Sequence, residues 1–472
     1  MLRNGHESDE RDMDTIDQKK LYRDSRIELH EDVIPFWLKY GVDNEHGGFI
    51  CGLKHNGDVD DDSKFAWYQG RGAWIMCKFY EDFDRNPMYL DIARSSLLFT
   101  LKHCCAWKDT KTVNNHDRIG AYYDNGCAND RLQLKHCYTI VSRDGGKIPG
   151  RTEIDKVGYA MCFLAEGLFK YAMLCTKHKS GEGVAEKGND ILKLSIELIK
   201  RFHAMTNDPD REAPESYLLN HPYVKGTRTL GHSMIPLRFC TQVLKAFRDC
   251  STSDDVSLDK VDMLYLSNLA DTCVENILDK HYDSKWDLVR EEMHYDWTPM
   301  NNGSPVLFYL GHAIESFWMV MDEALRKNDE ELLHKASVYL KRHCECCYDE
   351  VTGGLIRGIS IGDDHNDKCM KDKVAWVQQE ALVGTLMAWK YCKDEKVAAW
   401  AARYFNKLYS WVYKYFPLKN YGDREYSLWM VGSGRRVEFK ETYSYGDAGL
   451  KSRKENYHHP RMLMMFMDLC KS

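Results

Sequence analysis

Two distant stretches of this chain repeat one another. DNEHGGFICGL (43–53) and DEVTGGLIRGI (349–359) share an aspartate, two adjacent glycines, an isoleucine and a glycine at matching offsets. Each precedes a helical stretch that carries an aromatic, a glutamine and a charged residue. A recurring unit of helix, glycine hairpin and helix cannot bury its apolar face alone, so it has to stack on copies of itself. Apolar periodicity predicts twelve helices, near 20–40, 64–84, 88–106, 155–177, 187–205, 230–250, 259–281, 311–327, 330–347, 372–392, 395–415 and 455–470. Strand-like pieces are short and fall between them. Twelve helices close as six hairpins, giving an inner and an outer ring with a pocket where the connections at one end converge.

Residues 1–18 are charged and nearly free of large apolar groups, which predicts a mobile tail. No proline- or serine-rich linker divides the remainder, so residues 19–472 are expected to form a single domain. The interruptions near 107–150 and 206–229 carry His116, Tyr122, Arg143, His221 and Tyr223 and are long enough to fold over something. A formal net charge of -7 without a basic face argues against nucleic acid as a partner. No apolar run is long enough for a membrane span, and the N-terminus lacks the apolar centre of a signal peptide, so a cytoplasmic protein is expected. Seventeen cysteines scattered through apolar segments read as reduced core residues. Cys104-Cys105 beside His103, and Cys344 to Cys347 beside His343, lie in helical patterns without paired knuckles, so no metal is expected.

Four pieces carry polar chemistry. In LGHAIESFWMVMDEAL (310–325), His312 and Glu315 lie one turn apart at a helix start, opposite the apolar stripe. The positive end of the helix dipole there favours a neutral His312. In SKFAWYQGRGAWIMCKFY (63–80), Trp67, Arg71 and Trp74 share a face. In KVAWVQQEALVGTLM (373–387), Trp376 and Glu380 are one turn apart, and a carboxylate in so apolar a helix needs a partner. The last helix opens on Asn456-Tyr457-His458-His459-Pro460-Arg461. Taken singly, each piece reads better as packing or as a solvated helix start than as chemistry.

Taken together, and in this order, they resemble the N-acylglucosamine 2-epimerase family, known in mammals as renin-binding protein. The likeness is densest in PFWLKYGVDNEHGGFICGLKHNGDVDDDSKFAWYQGRGAWIMCKFY (35–80) and continues through GHAIES (311–316), DKVAWVQQEALVGTLM (372–387) and YHHPR (457–461). The resemblance implies an all-α (α/α)6 barrel with short β-hairpins in its loops. It also implies catalytic histidines at His312 and His458. Substrate-binding positions follow at Arg71, Glu380, Arg461 and Glu315, with Trp376 and Trp67 stacking on the sugar. The chain departs from the family pattern at Ala375-Trp376, where mammalian relatives have two tryptophans, and at Gln378, a glutamine shared with cellobiose 2-epimerases. GHSMIPLRF (231–239) matches only loosely.

The implied reaction is 2-epimerisation of an N-acyl hexosamine through an enediolate, with two imidazoles exchanging roles as base and acid. Arg71 and Arg461 are the expected donors to O1, with Glu315 orienting His312 and Glu380 assisting ring opening or holding a hydroxyl. An aldose–ketose isomerase acting on mannose and a cellobiose-type epimerase are the rivals on the same scaffold. The family's mammalian name adds a protein-binding role. No cofactor is required; relatives bring ATP as an allosteric activator, although this chain has no P-loop. A homodimer is also expected from the family.

Overall fold

The computed structural model describes residues 14–108, 119, 122, 134–175, 187–212, 224–249, 256–300, 306–361, 371–422, 425–426, 428–429, 435–437 and 453–471. Most of the expected N-terminal tail, and His116, His221 and Tyr223, lie outside them. Helix α1 (Gln18–Ile27) is capped by Asp17, whose carboxylate accepts from the Lys20 amide at 2.9 Å. The backbone stays helical to Gly41 through two π-type segments, Glu28–Val33 and Trp37–Gly41, on either side of Ile34–Phe36. Pro35, in the middle, has no amide to donate and crowds the turn before it, and the wider π turns absorb that break.

Eleven further long helices follow among the described residues: α2 (Ala66–Asp82), α3 (Pro87–Phe99), α4 (Tyr159–Cys175), α5 (Gly188–Thr206), α6 (Gly231–Asp249), α7 (Lys260–Glu275), α8 (Leu310–Lys327), α9 (Glu330–Cys347), α10 (Ala375–Tyr391), α11 (Glu395–Tyr415) and α12 (His458–Cys470). Even-numbered helices form the inner ring, each packed on its inner neighbours, and every one pairs with an odd-numbered outer helix, α12 with α1. The last inner joint, between α12 and α2, is closed by Lys78 on Asp468 at 3.0 Å and by the Trp74 and Tyr457 rings, 6.0 Å apart. This is the (α/α)6 barrel expected from the helix count. Leu164, Leu168, Phe202, Phe239, Leu340, Leu386 and Phe405 fill the space between the helices. Among the described residues no helix is long and apolar enough to cross a membrane.

The repeat noticed in the sequence is a repeat of bonding. Asp43 and Asp349 each close a glycine hairpin through their own backbone, with amide-to-carbonyl bonds to Gly48 and Gly354 of 2.9 Å. Gly47, Gly48, Gly353 and Gly354 all take φ between 72° and 80°, the left-handed region in which a side chain is strained. Each aspartate holds a buried lysine, Lys64 at 2.8 Å and Lys373 at 3.0 Å, and an arginine, Arg143 and Arg435. Each following helix sends back a glutamine that bonds both backbone groups of one hairpin residue: Gln69 to Phe49, and Gln378 to Leu355. Gln378 is therefore an internal brace and does not face a sugar. Arg143, expected in a covering loop, is likewise spent on Asp43.

Short antiparallel pairs lead straight into the inner helices. Lys64–Phe65 pairs with Ile140–Val141 before α2, Arg228–Thr229 with Glu292–Met293 before α6, and Val306–Phe308 with Ile359–Ile361 before α8. They brace the end of the barrel at which those helices start.

Candidate active site

At that end lies a cavity of about 410 Å3 to which every inner helix contributes: Arg71 from α2, Phe163 from α4, Met234 from α6, His312 and Glu315 from α8, Trp376 from α10, and His458 and Arg461 from α12. Seven of the eight residues expected from the sequence line it, Trp67 included. The eighth, Glu380, is buried behind the wall.

His312 stands in the first turn of α8. Its Nδ1 faces both carboxylate oxygens of Glu291, each at 3.1 Å. Glu291 is fully buried; its amide donates to the Leu307 carbonyl at 3.0 Å and its carbonyl accepts from the Leu230 amide at 2.9 Å. Glu291 arrives there on a third hairpin of the repeat. Tyr282 pairs with Val289 as Val42 pairs with Phe49 and Tyr348 with Leu355. Two residues further on, the first and second copies carry Cys51 and Arg357, and the third carries Glu291. Glu315, expected to orient His312, points elsewhere, to Arg461 at 2.9 Å. The expected charge state is corrected too. Burial opposes a cation at His312, but the Glu291 carboxylate outweighs it and holds the imidazole above its ordinary value. A buried carboxylate touching the ring is a stronger influence than the helix end.

His458 has the opposite setting. Its Nδ1 lies 2.6 Å from Glu380 Oε1 and 3.1 Å from Arg461 Nη2. An ionised carboxylate only accepts, so the shorter contact puts the proton on Nδ1 and leaves Nε2 as the basic nitrogen. Burial pushes His458 down to about 3; Glu455 pulls the other way and Arg461 adds to the fall. Glu380 also accepts from Trp318 Nε1 at 2.8 Å and ion-pairs with Arg461. The sugar contact expected of Glu380 is thus replaced by a role in holding His458. The Arg461 Nη2 group, expected at O1, is committed to Glu315 and Glu380, and its guanidinium lies over the Tyr457 ring at 4.7 Å.

The Trp376 indole neighbours both imidazoles, its centroid 5.4 Å from His312 and 5.7 Å from His458. Arg71 lies over Phe163 at 3.9 Å with Glu455 3.8 Å away, and Trp67 stacks on Phe65 at 5.4 Å. Sequence reasoning missed Glu291, the buried pair Arg238–Glu166 (2.9 Å) that lines the cavity, and a wall made of Leu428, Trp429 and His459. The Glu291 position was open to discovery by extending the repeat to HYDSKWDLV (281–289). Glu315, Glu380 and His458 together offer a donor set of metal-binding type, but the Arg461 guanidinium is ion-paired with both carboxylates and supplies the positive charge there.

Comparisons with known proteins agree with this architecture. A family model described as N-acylglucosamine 2-epimerase (GlcNAc 2-epimerase) matches residues 255–430. The N-acylglucosamine 2-epimerase of Mus musculus is 23% identical over 449 residues, covering 93% of this chain and 90% of its own. A cellobiose 2-epimerase of Ruminococcus albus is 22% identical, covering 79% and 82%. Among solved structures, a sugar epimerase from a ruminal bacterium superposes with a TM-score of 0.64 at 18% identity, covering 95% of this chain and 98% of its own. Fold and comparisons define a carbohydrate epimerase or isomerase of the (α/α)6-barrel type. Within that class, the chain is similar to the N-acylglucosamine 2-epimerases along nearly its whole length, and residues 255–430 match that family's model.

Proposed function

We propose that this protein is a sugar 2-epimerase that interconverts N-acetylglucosamine-type and N-acetylmannosamine-type hexosamines. The observation that carries the reading is the pair of imidazoles on separate inner helices, each gripped at Nδ1 by a buried carboxylate and both opening on one cavity. Inversion at C2 requires a proton to leave one face and return to the other, and two such groups meet that need. Their environments hold them in different protonation states near neutrality, His312 as acid and His458 as base. With the ring-opened sugar between them, His458 Nε2 takes the C2 proton of one epimer and His312 delivers a proton to the opposite face. The reverse reaction uses the same groups in exchanged roles. Negative charge developing on O1 meets Arg71 and the His312 imidazolium. The chemistry is proton transfer alone, so the chain's own residues suffice and no redox cofactor or metal enters the scheme.

The choice of an N-acyl hexosamine is supported by the mouse relative, whose match spans nearly the whole chain. The Ruminococcus albus relative supports a second reading, epimerisation of a disaccharide such as cellobiose. Proton NMR in heavy water with N-acetylmannosamine, mannose and cellobiose in turn separates them. Epimer formation with loss of the C2 proton signal is expected for N-acetylmannosamine; ketose formation from mannose would make the protein an isomerase. Repeating the assay with ATP tests allosteric activation, and sedimentation of the same sample tests the homodimer.

A further inference from the structure

The cavity has a third histidine, His459, and it too is backed by a carboxylate, from a part of the chain the mechanism does not use. Glu28 Oε1 accepts from His459 Nε2 at 2.9 Å and from Trp429 Nε1 at 3.0 Å, while Oε2 accepts from the Tyr413 hydroxyl at 2.7 Å. Glu28 opens the first π segment after α1, on the outer ring. It does not line the cavity, whereas Leu428, Trp429 and His459 do. The Trp429 ring lies on His459 with centroids 4.7 Å apart, and Tyr413 meets it edge-on at 5.3 Å. Its backbone is fixed as well: Trp429 bridges to Pro417, and the Leu418 amide donates to the Leu428 carbonyl at 2.8 Å. Beside it, Glu425 reaches Lys39 at 2.8 Å and Tyr426 packs on Phe36, so these residues are tied to the helical stretch that follows α1.

Any buried indole N–H needs a partner, as Trp318 shows with Glu380, but one serving only as core filler needs no place on a cavity wall. Here the polar edge is anchored to Glu28 while the ring contributes to the cavity wall beside His459. That arrangement suits the C–H face of a sugar, which an aromatic ring held in advance meets without losing side-chain freedom on binding. We propose that Trp429 is a sugar-binding platform and that Glu28 is the positioning residue that holds it, together with His459, against the cavity. The proposal deepens the epimerase reading and rests on it for the identity of the sugar. It concerns affinity and leaves the proton transfers to His312 and His458.

The test compares wild type, Trp429→Ala, Trp429→Phe, Glu28→Gln and the Trp429→Phe/Glu28→Gln double variant, with N-acetylmannosamine as probe. KM is expected to rise about 5- to 20-fold for Trp429→Ala and less for Trp429→Phe, with kcat within about twofold of wild type. Glu28→Gln is expected to raise KM about threefold or more. The double variant should be no worse than the poorer single one, because one substitution weakens and the other removes the same anchor. A merely structural role would instead lower the melting temperature and the active fraction without moving KM, and an unchanged KM in Trp429→Phe and Glu28→Gln overturns the proposal even if Trp429→Ala fails to fold. Saturation-transfer NMR with N-acetylmannosamine, mannose and cellobiose separates this from the functional reading, since it needs no turnover. If wild type binds a sugar but turns over none, the epimerase reading fails, and the platform stands or falls on the same ratio of dissociation constants. If wild type binds none, both fail.

Discussion

The two catalytic candidates are the same amino acid in opposite electrostatic settings, and at the scale of single residues this difference is the main testable content. Replacing either His312 or His458 by alanine removes one of the two proposed proton carriers. Turnover should fall about 10²- to 10⁴-fold with the far-ultraviolet circular dichroism unchanged. Each single variant should still exchange the C2 hydrogen of one epimer slowly with heavy water, since one base remains, and loss of exchange from both epimers would contradict the two-base scheme. Glu291→Gln keeps the shape and removes the charge that opposes burial at His312. The imidazole then falls below its ordinary value, so the alkaline limb of kcat/KM should move to lower pH, and turnover near pH 8 should drop about 10²-fold. Stability follows the linkage signs. The raised His312 contributes stability that is complete below the unfolded histidine value of about 6.5 and is lost as pH rises through its folded value. His458, lowered to about 3, contributes stability that is present above the unfolded value and is lost as pH falls toward 3. Melting temperatures of wild type and His458→Gln measured from pH 6.5 down to 4 should therefore converge, the wild type losing more on acidification.

At the scale of elements, the glycine hairpins were legible in the sequence because their requirements are local. Only a few residues tolerate positive φ, and a buried lysine must meet a buried acid, so Asp43 with Lys64 and Asp349 with Lys373 recur at fixed offsets. The role of Gln378 was not legible for the complementary reason. Nothing in its spacing says whether an amide turns toward a cavity or back onto the chain, and that is decided by Leu355, which lies in the preceding hairpin. Gln378→Leu leaves a buried amide and a buried carbonyl without partners, which should cost about 2–4 kcal/mol, seen as a lower urea midpoint. The ratio of activities toward N-acetylmannosamine and cellobiose should not change; a shift in that ratio would return Gln378 to the sugar. Glu291 escaped notice because its hairpin has lost both glycines. The pairing of Tyr282 with Val289 identifies HYDSKWDLV as another copy, with Asp287 taking the left-handed turn at φ 54°.

At the scale of the molecule, the helix rhythm announced a closed ring, and the ring explains why residues as far apart as Arg71 and His458 line one cavity of about 410 Å3. It could not announce which acid meets which base, because each such pair is assembled across a joint. Glu380 of α10 serves His458 of α12, and Glu315 of α8 serves Arg461 of α12. A site built from all six inner helices exists only while the ring is closed, so a sugar that binds it stabilises the whole barrel against unfolding. At 100 times its dissociation constant such a ligand adds about 2.7 kcal/mol. Thermal melts with increasing N-acetylmannosamine should therefore rise by a few degrees, and His458→Ala should keep most of that rise while losing turnover. Asp468→Lys sets two like charges against one another at the Lys78 contact, where α12 closes on α2. It should lower the melting temperature without sugar and flatten the rise at a given sugar concentration, because some binding energy is then used to close the joint. A variant whose melting temperature falls while its sugar dependence matches wild type would show that the cavity forms before the ring closes.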